Sequence, residues 1–164
     1  MKDKKQKYLE MTNNRIYEQL SYAEAKNGVL VGLLSAIILV LLGLAFDESS
    51  EKVVDIILYI YSGILGLSLV ISLISFFPNT DPLGKKANLY FWGNIASFSD
   101  DKEYLETFEE KKDELDNQLA RQNIQVSRII RRKHMLFSVA LKIGAIAIFP
   151  PLIIYFLIKG ILGK

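Results

Sequence analysis

The chain has 164 residues, 51% hydrophobic and 23% charged, with a mean hydropathy of +0.23 and a net charge of +2. With no Cys and one His, His134, it excludes disulfide scaffolds, thiolate zinc sites and cysteine nucleophiles. The small net charge gives no case for a nucleic-acid polymer as partner.

Residues 5–27 lack Pro and Gly and are rich in helix formers, which predicts a helix running straight into the segment that follows. Leu9, Ile16, Leu20 and Ala23 make a thin apolar stripe on it. Residues 28–46 carry no charge. At the helical rise they span roughly 28 Å, enough for a hydrocarbon core. They are too long for a signal-peptide core and follow a charged segment, so this is a first membrane span. An acidic loop, 47–55, leads to a second charge-free run, 56–77. Pro78, Asn79, Asp81, Pro82 and Gly84 stop that helix and make a turn-rich connector. The block NLYFWGNIASF, 88–98, is short and aromatic. Ser99 is placed to cap the next helix, with Asp100, Asp101 and Glu103 favoured in its first turn by the helix dipole. That helix is predicted from about 100 to 134, since Pro and Gly are absent there. Leu105, Phe108, Leu115, Leu119, Val126 and Ile129 follow a heptad frame, with Lys112 and Gln122 as polar interruptions. A third span, 135–158, is interrupted once by Lys142, and Pro150–Pro151 predict a kink or break inside it. Residues 159–164 form a short tail.

Lys and Arg number six in residues 1–27 and ten in 78–134, against one in 47–55 and two after 158. Positive residues stay inside, so the N-terminus and 78–134 are expected in the cytoplasm, with 47–55 and the C-terminus outside. The fold class is therefore an all-α membrane protein with three transmembrane helices. Its N-terminal and central cytoplasmic helices are expected to form a coiled-coil-like module. One thin seam leaves little soluble core, so an oligomer is expected.

Small residues recur at four-residue spacing: Gly28, Gly32 and Ala36 in the first span, Ser62 and Gly66 in the second, Ala140 and Gly144 in the third. Such stripes let helices pack closely, either within one chain or between copies. Lys142 either snorkels to the membrane edge or lines the interior of a bundle or pore. Ser68, Ser72 and Ser75 share one face of the second span and are the other polar candidates for a pore or bundle. The sequence offers no convincing glycine-rich phosphate loop, metal-ligand spacing or paired-carboxylate motif. An enzyme, a resident cofactor and a metal are therefore not expected.

The connector NLYFWGNIASFSDDKEYLETF, 88–108, and the block LDNQLARQNIQVSRIIRRKHMLFSVAL, 115–141, sit in a layout of N-terminal helix, membrane hairpin, long helix and last span. Over roughly residues 15–158 the chain resembles the transmembrane effectors of Pycsar antiphage systems, membrane proteins encoded beside pyrimidine cyclases. The resemblance implies a bacterial defence effector, switched on by a cyclic nucleotide from a partner cyclase, that impairs the inner membrane so that the infected cell stops growing. Cyclic UMP, cyclic CMP or a cyclic oligonucleotide would be the ligand, and the lipid bilayer and further copies of the chain the other partners. On this reading Tyr90, Phe91 and Trp92 would stack a base, and Arg121 and Arg128, one heptad apart, would meet a phosphate. The plainer reading of the aromatics is an interfacial belt on the lipid headgroups. A rival from another class is a constitutive structural or adaptor membrane protein that recruits a partner through its cytoplasmic helix.

Overall fold

The computed structural model describes residues 2–46, 52–77 and 88–162. Most of the acidic loop and the Pro78–Gly84 connector lie outside these residues, as does the end of the tail. The described residues hold no strand. They form α1 (Lys2–Ala45), α2 (Lys52–Ile74), a single helical turn α3 (Trp92–Ile95), α4 (Asp101–Glu110) and α5 (Leu115–Leu162). Three of these helices are long and apolar enough to cross a membrane.

The predicted N-terminal helix and first span are one unbroken rod, α1. The long helix expected over 100–134 is instead divided. α4 ends at Lys111, whose φ of −103° and ψ of 12° leave helical geometry, and a 3₁₀ turn, Lys112–Glu114, precedes α5. Residues 109–114 are Glu-Glu-Lys-Lys-Asp-Glu, without one apolar side chain to hold a straight rod against a core. The cap of α4 also differs by one position from the expected Ser99. Asp100 is the N-cap and its Oδ1 accepts from Glu103 N at 2.8 Å. Glu103 reaches back to accept from Ser99 N at 2.9 Å and Ser99 Oγ at 2.6 Å. This is a capping box set one residue late. The Pro150–Pro151 pair does not break the third span, because α5 continues through it. Proline removes only the bonds to the carbonyls four residues back, those of Ile146 and Ala147, and membrane helices tolerate such gaps.

The chain divides into two compact units. One comprises residues 1–22 and 78–131, the other 23–77 and 132–164. In the second unit α2 runs antiparallel to α5. Ser75 O meets Lys133 and Ser68 Oγ meets Ala140 O, seven residues back on one helix and seven forward on the other. The core-facing row of α2 is Val54, Leu58, Ser62, Leu65, Ser68 and Ser72, all buried. Leu34, Leu41, Leu58, Leu65, Ala140 and Ala147 are fully enclosed. Lipid tails are as apolar as leucine, so this core is held by close packing and interhelical hydrogen bonds rather than by transfer from water. Gly144 shows how tight the contact is. A Cβ built there would lie 3.0 Å from Leu34 Cδ2 and 3.4 Å from Ser68 Oγ.

Candidate functional site

In the first unit the polar residues of α5 are structural, although in the sequence they look like interruptions of an apolar seam. Gln118, Gln122 and Asn123 are all buried. Gln118 Oε1 accepts from Leu89 N at 2.9 Å, and Gln122 Oε1 accepts from Asn88 Nδ2 at 3.2 Å. Gln122 Nε2 donates to the Tyr17 hydroxyl at 3.2 Å, and Asn123 Nδ2 donates to Leu9 O at 3.2 Å. Thus α5 holds the aromatic connector through one pair of amides and α1 through another. The connector folds on itself as well: Asn88 Oδ1 accepts from Tyr90 N at 2.9 Å, and Asn94 Nδ2 donates to Asn88 O at 3.3 Å. Phe98 packs edge-on against Tyr104 with centroids 5.3 Å apart, which ties the connector to α4. Lys5 and Asp116 pair at 3.4 Å.

A groove of about 430 Å³ lies further along α5. Its α5 side is Asn123, Ile124, Ser127, Arg128 and Arg131, and Thr12 and Ile16 of α1 form the other side. A neighbouring groove of about 270 Å³ shares Thr12, Ile16 and Ser127 and adds Arg15. None of the three arginines has an ion-pair partner among the described residues. Asn123 Oδ1 is buried and accepts no hydrogen bond among the described residues.

The second unit carries a different polar cluster. Lys133 is buried. Its Nζ donates to Ser75 O at 2.7 Å and pairs with Glu24 Oε1 at 3.1 Å, with the Phe76 ring centroid at 6.0 Å. Asn27 Nδ2 donates to Ser72 O at 3.2 Å. Lys133 and Asn27 therefore bond carbonyls at the C-terminal end of α2, where Ser72 O also accepts from Ser75 N at 3.1 Å. Lys26 Nζ sits 4.1 Å above the Phe137 ring. Ser68 Oγ donates to Ala140 O at 2.6 Å, whereas the buried Ser62, Ser72 and Ser75 hydroxyls have no partner among the described residues.

The residues predicted from sequence fall into separate places. Tyr90 and Phe91 are half-buried in the connector, and the described side chains do not include Trp92. Burial raises the Tyr90 phenol above its ordinary pKa of 10.0, and the charges of Glu10 and Asp116 push it the same way. Arg121 is exposed, level with the connector's anchors at Gln118 and Gln122, whereas Arg128 belongs to the groove. From Gln122 to Arg128 is about 9 Å along a helix axis. Lys142 is exposed, while Ser68, Ser72 and Ser75 are buried. Ala140 and Gly144 pack within the chain. Gly32 and Gly66 face open space, and Gly28 has only Phe76 nearby, at 3.9 Å. Ala36 is exposed and Ser62 buried. Sequence reasoning passed over Asn123, Ser127 and Thr12, and placed Lys133 only at the membrane edge. The available signal was the four-residue spacing of Asn123, Ser127 and Arg131 along one helix face.

In comparison with known proteins, the family described as the Pycsar effector protein domain (PycTM) matches residues 8–160. Neither curated proteins nor solved structures gave a match.

Proposed function

Because the chain belongs to the Pycsar effector family of antiphage defence, we propose that a cyclic nucleotide from a partner cyclase switches it on, and that it then impairs the bacterial inner membrane. The observation that carries this reading is the continuity of α1 and α5. Each starts in the polar unit and continues unbroken into the apolar one. A ligand that favours one packing of these helices over another shifts the equilibrium only by its differential affinity for the two. Covalent continuity passes that bias to the spans. Three helices of membrane-crossing length fit a multi-pass membrane protein, and the distribution of Lys and Arg favours a cytoplasmic N-terminus. Self-association is part of the proposal. The open face at Gly32 leaves room for the close approach of another helix.

The test is purified full-length protein in dye-loaded liposomes, titrated with cyclic UMP and cyclic CMP. Nucleotide-dependent leakage is expected, together with loss of membrane potential in phage-infected cells. Binding without leakage or depolarisation would refute membrane impairment and favour the adaptor reading.

A further inference from the structure

We propose that the groove between the N-terminal half of α1 and the start of α5 is the nucleotide site, with phosphate at Arg128 and Arg131 and the base edge at Asn123. This rests on the reading of the chain as nucleotide-activated and moves the site away from the aromatic connector. Asn123, Ser127 and Arg131 stand four residues apart and so form one row along α5. The row rises about 12 Å along the helix.

Its chemistry changes in order along that length. At one end Asn123 is buried, its amide nitrogen committed to Leu9 O, and its Oδ1 is an acceptor without a donor among the described residues. A buried unpaired acceptor costs free energy until an N–H reaches it, and nucleobase edges carry N–H groups. In the middle Ser127 Oγ already donates to Asn123 O at 2.8 Å, so its lone pairs remain to accept from a ribose hydroxyl. At the other end Arg128 and Arg131 have no carboxylate partner among the described residues, and Arg15 stands in the adjoining groove. Guanidinium groups take phosphate oxygens in a two-pronged fork. Ile16 and Ile124 supply apolar wall for the flat face of a ring.

The connector has acidic neighbours instead: Glu10 and Asp116, the latter paired with Lys5, act on Tyr90. A ligand seated in the groove touches α1 and α5 together, the two helices that continue into the spans.

The experiment measures binding of cyclic UMP and cyclic CMP to the full chain in nanodiscs of neutral lipid. Arg128→Ala with Arg131→Ala is expected to weaken binding about 10-fold or more, the weight of lost charge-assisted hydrogen bonds. Ile124→Trp, which fills the groove from an exposed position, is expected to weaken it as well, with melting temperature unchanged. Lys102→Ala with Lys112→Ala removes equal charge from exposed positions of the α4 region and is expected to leave binding intact. Wild-type affinity in both groove variants would overturn the proposal while leaving nucleotide activation standing. So would groove variants that lose only their affinity for anionic vesicles, since the arginines would then serve lipid headgroups. Absence of nucleotide binding by the wild-type chain would instead remove the functional reading and the site with it.

Discussion

Replacing Lys133 with Met keeps most of the side-chain volume and removes one buried charge. Three contacts are lost together: the bond to Ser75 O at 2.7 Å, the pair with Glu24 at 3.1 Å and the approach to the Phe76 ring. A hydrogen bond from a charged donor contributes about 1.5–3 kcal/mol. The Glu24 side chain is 48% exposed, so water screens the ion pair and it adds at most ~1 kcal/mol. The Phe76 ring is partly exposed and 6.0 Å away, so its share is small. The expected loss is about 2–4 kcal/mol, a fall of about 5–15 °C in melting temperature for a chain of this size. Thermal unfolding in detergent, followed by helical circular dichroism, measures it. Glu24→Gln must cost much less, because the carboxylate is the weaker contact. A Lys133→Met variant that melts within about 2 °C of wild type, or a Glu24→Gln variant that is equally destabilised, would refute this ranking.

Gly144→Val forces a branched side chain against Leu34 and Ser68 and is expected to cost about 1–3 kcal/mol, read as melting temperature. Gly32→Val meets nothing within 4 Å in the chain, so it should leave the fold intact; cross-linking in liposomes then reports whether copies meet on that face. Gln122→Leu leaves Asn88 Nδ2 and the Tyr17 hydroxyl without their partner and is expected to cost about 1–3 kcal/mol. Faster amide hydrogen exchange over 88–95 is the check. The Tyr90 phenol has a folded pKa raised above its unfolded value of 10.0. The folded state then holds its proton more tightly, so this contribution is complete below pH 10.0 and is lost as pH rises through the folded pKa. Comparing alkaline unfolding of wild type and Tyr90→Phe tests the sign, and a less steep decline is expected in the variant.

Much of the fold was legible because the bilayer imposes simple length and charge requirements. Residues 28–46 and 56–77 contain no charge, and only long helices satisfy every backbone group in lipid. The helix over 5–27 followed from the absence of Pro and Gly there, and α1 then runs unbroken through Gly28, Gly32 and Gly43. The division at Lys111 was not legible, since Glu109–Glu114 contains good helix formers and no breaker. Gln122 was legible as an interruption of a seam but not as an anchor. Whether a buried amide is a defect or a clasp depends on Asn88 and Tyr17, which lie 34 and 105 residues away. For the site, the sequence pointed to aromatics and to arginines one heptad apart. It had no means of showing that Arg128 and Arg131 line a groove with Thr12 while Arg121 does not.

The sequence by itself determined three apolar helices, their order and the family to which they belong, because hydrophobic length and local propensity are written residue by residue. Only the tertiary structure decided which polar groups find partners. Lys133 against Ser75 and Glu24, Gln118 against the connector, and Asn123 with one oxygen left over are outcomes of packing between distant segments. Hydrogen bonds act over about 3 Å, so their pairing is fixed only when the helices have met.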